Sequence, residues 1–126
     1  MKNIFNLLLV STTLLIPALI GCSSETNKLV KTKFNHDGIS RDYIYYAPKS
    51  LTKNAPLVVV LHGFTSNAES IMEYSKFNKV ADENNFALVY PQGTKDDEKN
   101  TYWNVGYEFN EDLKINDLDY IRKLVD

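Results

Sequence analysis

The stretch Pro56-Leu-Val-Val-Val-Leu-His-Gly63 decides the fold. Its five consecutive apolar residues lie between a proline and a His-Gly turn, which is typical of a short strand buried on both faces of a parallel sheet. After the turn, Ser66 lies three positions before Glu69, which is the spacing of a capping box at a helix start. The sequence therefore predicts a strand, a tight glycine turn and a helix, and such a turn leaves backbone N–H groups free to point outward.

The residues after this helix start predict further helix and then a second strand. Residues 66–72 form a short helical pattern, and residues 75–84 place apolar side chains on one face. That face consists of Phe77, Val80 and Ala81. Asn84-Asn85 predicts the helix end, because asparagine tolerates the left-handed conformation. Since the apolar run Phe86–Tyr90 then predicts a buried strand, the whole is a right-handed βαβ unit with parallel strands.

A β-hairpin is predicted upstream of this unit. Two β-prone runs, Leu29–Phe34 and Ile39–Tyr46, flank a turn in which Asp37-Gly38 supplies positive φ angles. We expect an antiparallel hairpin at the edge of the sheet, with His36 as a solvated turn residue.

The last ten residues predict an amphipathic helix capped by Asn116 or Asp117. Its predicted apolar face consists of Leu118, Ile121, Leu124 and Val125.

The N-terminal segment has the pattern of a targeting signal. Lys2 precedes a mostly apolar core, and Leu19-Ile20-Gly21-Cys22 resembles a bacterial lipobox. The resemblance implies a signal peptide over residues 1–21, lipidation of Cys22, and a polar tether over residues 22–28. A transmembrane anchor is the alternative, but the 17-residue core contains several polar residues and a spanning helix needs roughly 20 apolar ones. We expect a cell-membrane lipoprotein on the extracytoplasmic side.

Composition excludes several other classes of function. With 126 residues, 44% of them hydrophobic, the chain has the composition of at most one globular domain. A net charge of −2 with scattered lysines provides no basic face for nucleic acid. The single cysteine excludes an intrachain disulfide. The charged run Lys95–Lys99 matches no calcium-loop pattern, so we expect a solvated loop tip, no metal and no cofactor.

The loop after the second strand contains Trp103 and Asn104. Ligands bind at the carboxyl ends of parallel strands in open α/β sheets, which makes both residues candidates for a substrate-side loop. The alternative is that Trp103 packs the loop against the core.

Five stretches, in this order, resemble the N-terminal half of the polyhydroxybutyrate depolymerase and feruloyl esterase group of α/β-hydrolases. They are Arg41–Pro48, Pro56–Gly63, Phe86–Gly93, Trp103-Asn104 and Asn116–Ile121. The resemblance implies an α/β fold: a truncated α/β-hydrolase domain over residues 29–126, with an N-terminal hairpin, a parallel βαβ unit and a further helix. Asn116 stands where the group usually has Asp, and Asp119 where it usually has Gly. Asp117 and Asp119 are therefore assigned only a capping and helix-dipole role.

The resemblance also implies acyl transfer by a serine, histidine and aspartate, with backbone N–H groups binding the oxyanion. The oxyanion loop would be His62-Gly63-Phe64-Thr65, with the Phe64 N–H as donor and Thr65 as its neighbour. Gly63 lacks a Cβ and so allows a close approach of substrate. His62 could serve as the base, but the group places its base near the C-terminus, so an orienting His62 is preferred.

No Gly-x-Ser-x-Gly motif occurs in the chain, and the catalytic nucleophile, acid and base are missing from it. We expect the front part of a lipid-anchored serine esterase acting on a polyester, an aromatic-acid ester or an acylated carbohydrate, and no ester hydrolysis by this chain alone. The alternatives are a short non-catalytic binding lipoprotein and a non-functional relic.

Overall fold

The structure is a computed structural model that describes residues 26–106 and 114–126. The predicted signal peptide and Cys22 lie outside the described residues, as does most of the predicted tether. Of the helices that are described, none combines the length and apolar character needed to cross a membrane.

A four-stranded mixed sheet in the order β1-β2-β4-β3 forms the centre of the domain. Its strands are β1 (Lys28–His36), β2 (Ile39–Ala47), β3 (Leu57–Val59) and β4 (Ala87–Pro91). β1 and β2 form the predicted antiparallel hairpin at one edge, and Asp37 and Gly38 both have positive φ in its turn. β3 pairs with β4 in parallel, which confirms the βαβ unit. The α/β fold class is therefore confirmed.

Three helices and a small second hairpin complete the described part of the chain. The helices are α1 (Ala68–Ser75), α2 (Phe77–Asn84) and α3 (Asp117–Val125), and the hairpin pairs β5 (Thr94–Lys95) with β6 (Thr101–Tyr102). α1 and α2 pack on one face of β2 and β4. The core cluster there consists of Ile44, Tyr46, Val60, Ala68, Ala81, Leu88 and Tyr90. The β5–β6 hairpin was not predicted, because its two-residue strands lie within a charged loop.

The predicted capping box at Ser66 is wrong. Asn67 is the N-cap of α1, and its side chain accepts a hydrogen bond from the Ser70 N–H at 2.8 Å. Ser66 belongs to the preceding loop instead, where its N–H donates to the Gly63 carbonyl at 3.1 Å. The predicted left-handed end of α2 is confirmed at Asn85, which has a φ of 56°.

The prediction that β3 is buried on both faces is wrong for the described chain. Leu57, Val58 and Leu61 are 41%, 37% and 44% exposed. β3 lies at the edge of the sheet, and no strand within residues 26–106 or 114–126 pairs with its outer side. β4 is instead the strand whose residues are all buried.

Two predicted helix faces differ from those observed. In α2 only Ala81 is buried, and Phe77 and Val80 are partly exposed. In α3 the buried residues are Asp117 and Tyr120, whereas Leu118 of the predicted apolar face is 68% exposed. α3 faces the sheet through an ion pair and an aromatic ring, contacts that apolar periodicity does not encode.

Candidate functional site

The candidate site lies where β3 and β4 end side by side. The Val60 N–H donates to the Val89 carbonyl at 2.9 Å, which extends the parallel pairing one residue beyond the end of β3. The segment His62–Thr65 follows at the carboxyl end of the strand, the edge at which open α/β sheets bind ligands. This segment is the oxyanion loop expected from the family resemblance, and we keep that name for it.

His62 is 2% exposed and both of its ring nitrogens are engaged. Its Nε2 accepts hydrogen bonds from the Gly93 N–H at 2.9 Å and from the Gln92 amide at 3.1 Å. Because a backbone N–H only donates, the ring carries its proton on Nδ1, which donates to the Gly63 carbonyl at 2.8 Å. His62 thus orients the loop, and neither ring nitrogen is left to act as a base.

Trp103 holds the same histidine from the other side. Its indole N–H donates to the His62 carbonyl at 2.9 Å, and the two rings lie 5.0 Å apart between centroids. The structure shows the packing role considered for Trp103. Asn104 is anchored as well: its backbone N–H donates to Asp117 at 2.6 Å and its side chain to the Ile115 carbonyl at 2.8 Å.

The backbone N–H groups of the loop differ in availability. The Thr65 N–H donates to the Thr101 carbonyl at 2.8 Å, so it is occupied. Within the part of the chain that the structure describes, the Phe64 N–H has no hydrogen-bond acceptor. Phe64 as a whole residue is 66% exposed, so it lies at the surface of the domain. Of these two N–H groups, that of Thr65 is occupied and that of Phe64 is without an acceptor among the described residues.

Gly93 must be glycine for the loop to keep this geometry. A Cβ at position 93 would lie 2.3 Å from the Tyr102 carbonyl oxygen and 3.1 Å from the His62 ring. At Gly63, by contrast, a Cβ would meet nothing within 4 Å. The close packing that the site requires is at Gly93, and the space beside Gly63 is open.

Two charged residues that were not expected to take part in the site form a buried pair next to it. Arg41 and Asp117 are 3% and 2% exposed, and their side chains form an ion pair at 2.6 Å. The Arg41 guanidinium also donates to the Gln92 carbonyl at 3.2 Å and lies 4.0 Å above the Tyr120 ring. One sequence signal could have indicated a buried role for Arg41. It is a charged residue at the start of the first motif stretch, in a strand otherwise rich in tyrosine and isoleucine.

These hydrogen bonds, together with the peptide bond between Trp103 and Asn104, close a ring of contacts, which we call the motif circuit. It passes through Arg41, Gln92, His62, Trp103, Asn104 and Asp117 and returns to Arg41. Each of these residues lies in one of the motif stretches identified in the sequence. The motifs therefore form a single connected support for the oxyanion loop.

His36 is not the solvated turn residue that was predicted. It is 4% exposed, packs against Phe34 and Tyr120, and donates from Nε2 to Asp119 at 2.9 Å. Burial results from α3, which covers the hairpin turn. His36, Asp37 and Asp119 have the atom types of metal ligands within 4.8 Å of one another. However, the Lys123 ammonium lies 2.9 Å from Asp119 and already neutralises it, so we assign no metal to this cluster.

Two open clefts lie near the oxyanion loop, one lined in part by Thr65 of the loop and the other by Leu61, which precedes it. One, of about 750 Å³, has a mixed polar and apolar lining, which includes Thr65, Ser66, Gly93, Lys95 and Lys99. The other, of about 700 Å³, is largely apolar and lies beside Trp103. Its apolar lining includes Leu61, Val105, Leu118 and Ile121.

Comparison with known proteins identifies the family of this chain. The family model described as esterase PHB depolymerase matches residues 41–111, which include the oxyanion loop and most of the motif circuit. A bifunctional acetylxylan esterase/xylanase, XynS20E of Neocallimastix patriciarum, is 32% identical over 66 residues, which are 52% of this chain. The match spans only 10% of the length of that relative. On the family match, the chain belongs to the esterase PHB depolymerase family.

Proposed function

We propose that this chain forms the oxyanion-loop part of an extracytoplasmic, lipid-anchored serine esterase that hydrolyses carboxylic esters. The observation that carries the proposal is the Phe64 N–H, which has no acceptor among the described residues and lies in a loop held on both sides. Membership of an esterase family and the esterase named among its relatives support the same chemistry.

The proposed reaction is acyl transfer through a tetrahedral intermediate. A serine oxygen bonds to the ester carbonyl carbon, its proton passes to a histidine base, and the alcohol leaves with that proton. Water then cleaves the acyl-enzyme and releases the acid. The developing carbonyl oxyanion would accept a hydrogen bond from the Phe64 N–H. One donor of this kind is worth about 10²–10³ in kcat.

The serine, its base and the acid would be supplied by residues other than these 126, since the chain contains no Gly-x-Ser-x-Gly. The outer side of β3 supports this part of the proposal. Its partly exposed Leu57, Val58 and Leu61 carry no charge that would discourage another strand. The opposite edge, β1, carries Lys28, Lys31 and Lys33. A further parallel strand beside β3 would cover the apolar edge.

The lipid anchor of the proposal is Cys22. Its support is the lipobox-like Leu19-Ile20-Gly21-Cys22 sequence behind an apolar core. The substrate would be a polyester, an aromatic-acid ester or an acylated carbohydrate. The last class is favoured by the named relative, an acetylxylan esterase.

The test uses the native protein from membranes of its source cells. An antibody to the exposed turn at residues 95–99 captures it, a fluorophosphonate probe labels any activated serine, and the intact mass is measured. We expect a labelled, lipidated species heavier than the 14.4 kDa chain. An unlabelled species of that mass or less would refute the esterase and favour a binding lipoprotein or a relic.

A further inference from the structure

We propose that Asp117 is a positioning residue for the oxyanion loop, although it lies on α3 and touches none of residues 62–65 through its side chain. This inference rests on the proposed function. Two chains of hydrogen bonds leave the Asp117 carboxylate from its two oxygens, and both end on His62.

The first chain reaches the backbone of His62. Asp117 Oδ2 accepts the Asn104 backbone N–H at 2.6 Å. This bond fixes the segment that carries Trp103, whose indole N–H then holds the His62 carbonyl at 2.9 Å.

The second chain reaches the ring of His62. Asp117 Oδ1 accepts from the Arg41 guanidinium at 2.6 Å, and Arg41 donates on to the Gln92 carbonyl at 3.2 Å. The adjoining Gln92 amide and Gly93 N–H both donate to His62 Nε2. Asp117 therefore acts on the end of β4 as well as on the loop after β6.

The position of His62 decides where the Phe64 N–H points. The Gly63 carbonyl and the Phe64 N–H belong to one planar peptide group and lie on opposite sides of it. The His62 ring and the Ser66 N–H hold that carbonyl at 2.8 and 3.1 Å. With the carbonyl fixed on the protein side, the Phe64 N–H is directed away from it, toward the open side of the loop.

Only a carboxylate meets the demands at position 117. Both partners, the Arg41 guanidinium and the Asn104 N–H, are donors, and an ionised carboxylate accepts at both oxygens. An asparagine would accept from one partner and present its own N–H₂ to the other. A buried ion pair is weak evidence for stability, because apolar pairs of similar volume are often as stable. The property that we assign to Asp117 is therefore that it accepts one hydrogen bond at each carboxylate oxygen, from Arg41 and from the Asn104 N–H.

The test measures His62 and Gly93 in the full 126-residue chain by NMR. The readouts are the His62 ring ¹⁵N shifts, which identify the tautomer, and the hydrogen exchange rate of the Gly93 amide relative to that of the Ala87 amide. Ala87 is the buried first residue of β4, and its N–H donates to the Pro56 carbonyl at 2.8 Å. In the wild type we expect one Nδ1–H tautomer. In Asp117→Asn we expect mixed tautomers and Gly93 exchange about tenfold faster relative to Ala87, the loss of about one hydrogen bond.

Two further variants keep the test decisive. Because Asp117→Asn leaves Arg41 buried and unpaired, the double variant Arg41→Met/Asp117→Leu removes both charges, and we expect it to show the same two changes with the fold retained. Asp119→Asn, on the same helical turn, is the control and should leave both readouts as in the wild type.

Unchanged His62 shifts in the double variant would overturn the proposal. So would equal acceleration of Gly93 and Ala87, which indicates general destabilisation, and so would a wild-type chain without the Nδ1–H tautomer. Failure of the esterase proposal is seen separately, because it appears as absent fluorophosphonate labelling and leaves these NMR readouts unaffected.

Discussion

The indole N–H of Trp103 donates a hydrogen bond of 2.9 Å to the backbone carbonyl of His62, and so joins two motif residues that are 41 positions apart. Trp103→Phe keeps an aromatic ring beside His62 but removes this donor. We expect the free energy of unfolding to fall by about 1 kcal/mol for the hydrogen bond, with some further loss from the smaller ring. Urea denaturation measures this free energy. Circular dichroism is the probe, because Trp103 is the only tryptophan and its replacement removes tryptophan fluorescence. An unchanged free energy of unfolding would contradict a stabilising role for this hydrogen bond.

The second prediction concerns the two glycines of the site. Gly93→Ala drives a methyl group against the Tyr102 carbonyl oxygen at 2.3 Å and the His62 ring at 3.1 Å. We expect a loss of about 1–3 kcal/mol in the free energy of unfolding, as in other overpacked sites. Gly63→Ala is the matched control, because its methyl group meets nothing within 4 Å; its expected change is within about 0.5 kcal/mol. Equal effects of the two substitutions would show that the close approach is not tight.

Acid stability tests the His36–Asp119–Lys123 cluster. The pKa of the Asp119 carboxyl lies below its ordinary value of 3.8. The hydrogen bond from His36 is the largest cause, and the hydrogen bond from Lys123 is the second. A lowered pKa in the folded state stabilises the protein above the unfolded value, and the contribution is lost as the pH falls through the folded value. Asp119→Asn should therefore destabilise the chain at pH 7, with a difference from wild type that shrinks below about pH 4. Urea titrations at several pH values measure the free energy of unfolding of both proteins. A difference between Asp119→Asn and the wild type that does not change with pH would contradict this explanation.

Alkaline stability tests the burial of Tyr120. Burial raises the pKa of the Tyr120 phenol to about 12, although the nearby Arg41 lowers it. The folded state then binds the phenol proton more tightly than the unfolded state. Its contribution is present below about pH 10 and is lost as the pH rises toward 12. Tyr120→Phe should flatten the fall in stability above pH 10, and Tyr74→Phe, at a site 85% exposed, is the control. A fall in stability that is equally steep in both variants would be evidence against this assignment.

The hairpin and the βαβ unit could be predicted from the sequence because their signals are local. Asp37-Gly38 supplies the backbone angles of the turn, and the apolar run ending at Tyr90 fits only a buried strand. The order of the motifs along the chain also led us to expect the site after β3, and that expectation remains a prediction.

The residues that hold the site together could not be predicted in the same way. Asp117 was fully explained by its position at a helix start, and nothing in its neighbourhood along the chain indicates Arg41 as a partner 76 positions away. The exposed side of α3 was mispredicted for the same reason, since Leu118 has helical periodicity but no described neighbour that buries it. Such contacts depend on tertiary structure.

The direct test of the account is the backbone N–H of residue 64 in the proposed esterase, produced from its own gene in its source cells. Phe64→Pro removes that N–H, and Phe64→Ala keeps it while removing the exposed ring. The measurement is kcat for p-nitrophenyl acetate. The account predicts that the proline variant loses about 10²–10³ in kcat with KM little changed, and that the alanine variant stays close to wild type. A proline variant that folds and retains the wild-type kcat would contradict the assignment of Phe64 as the oxyanion donor.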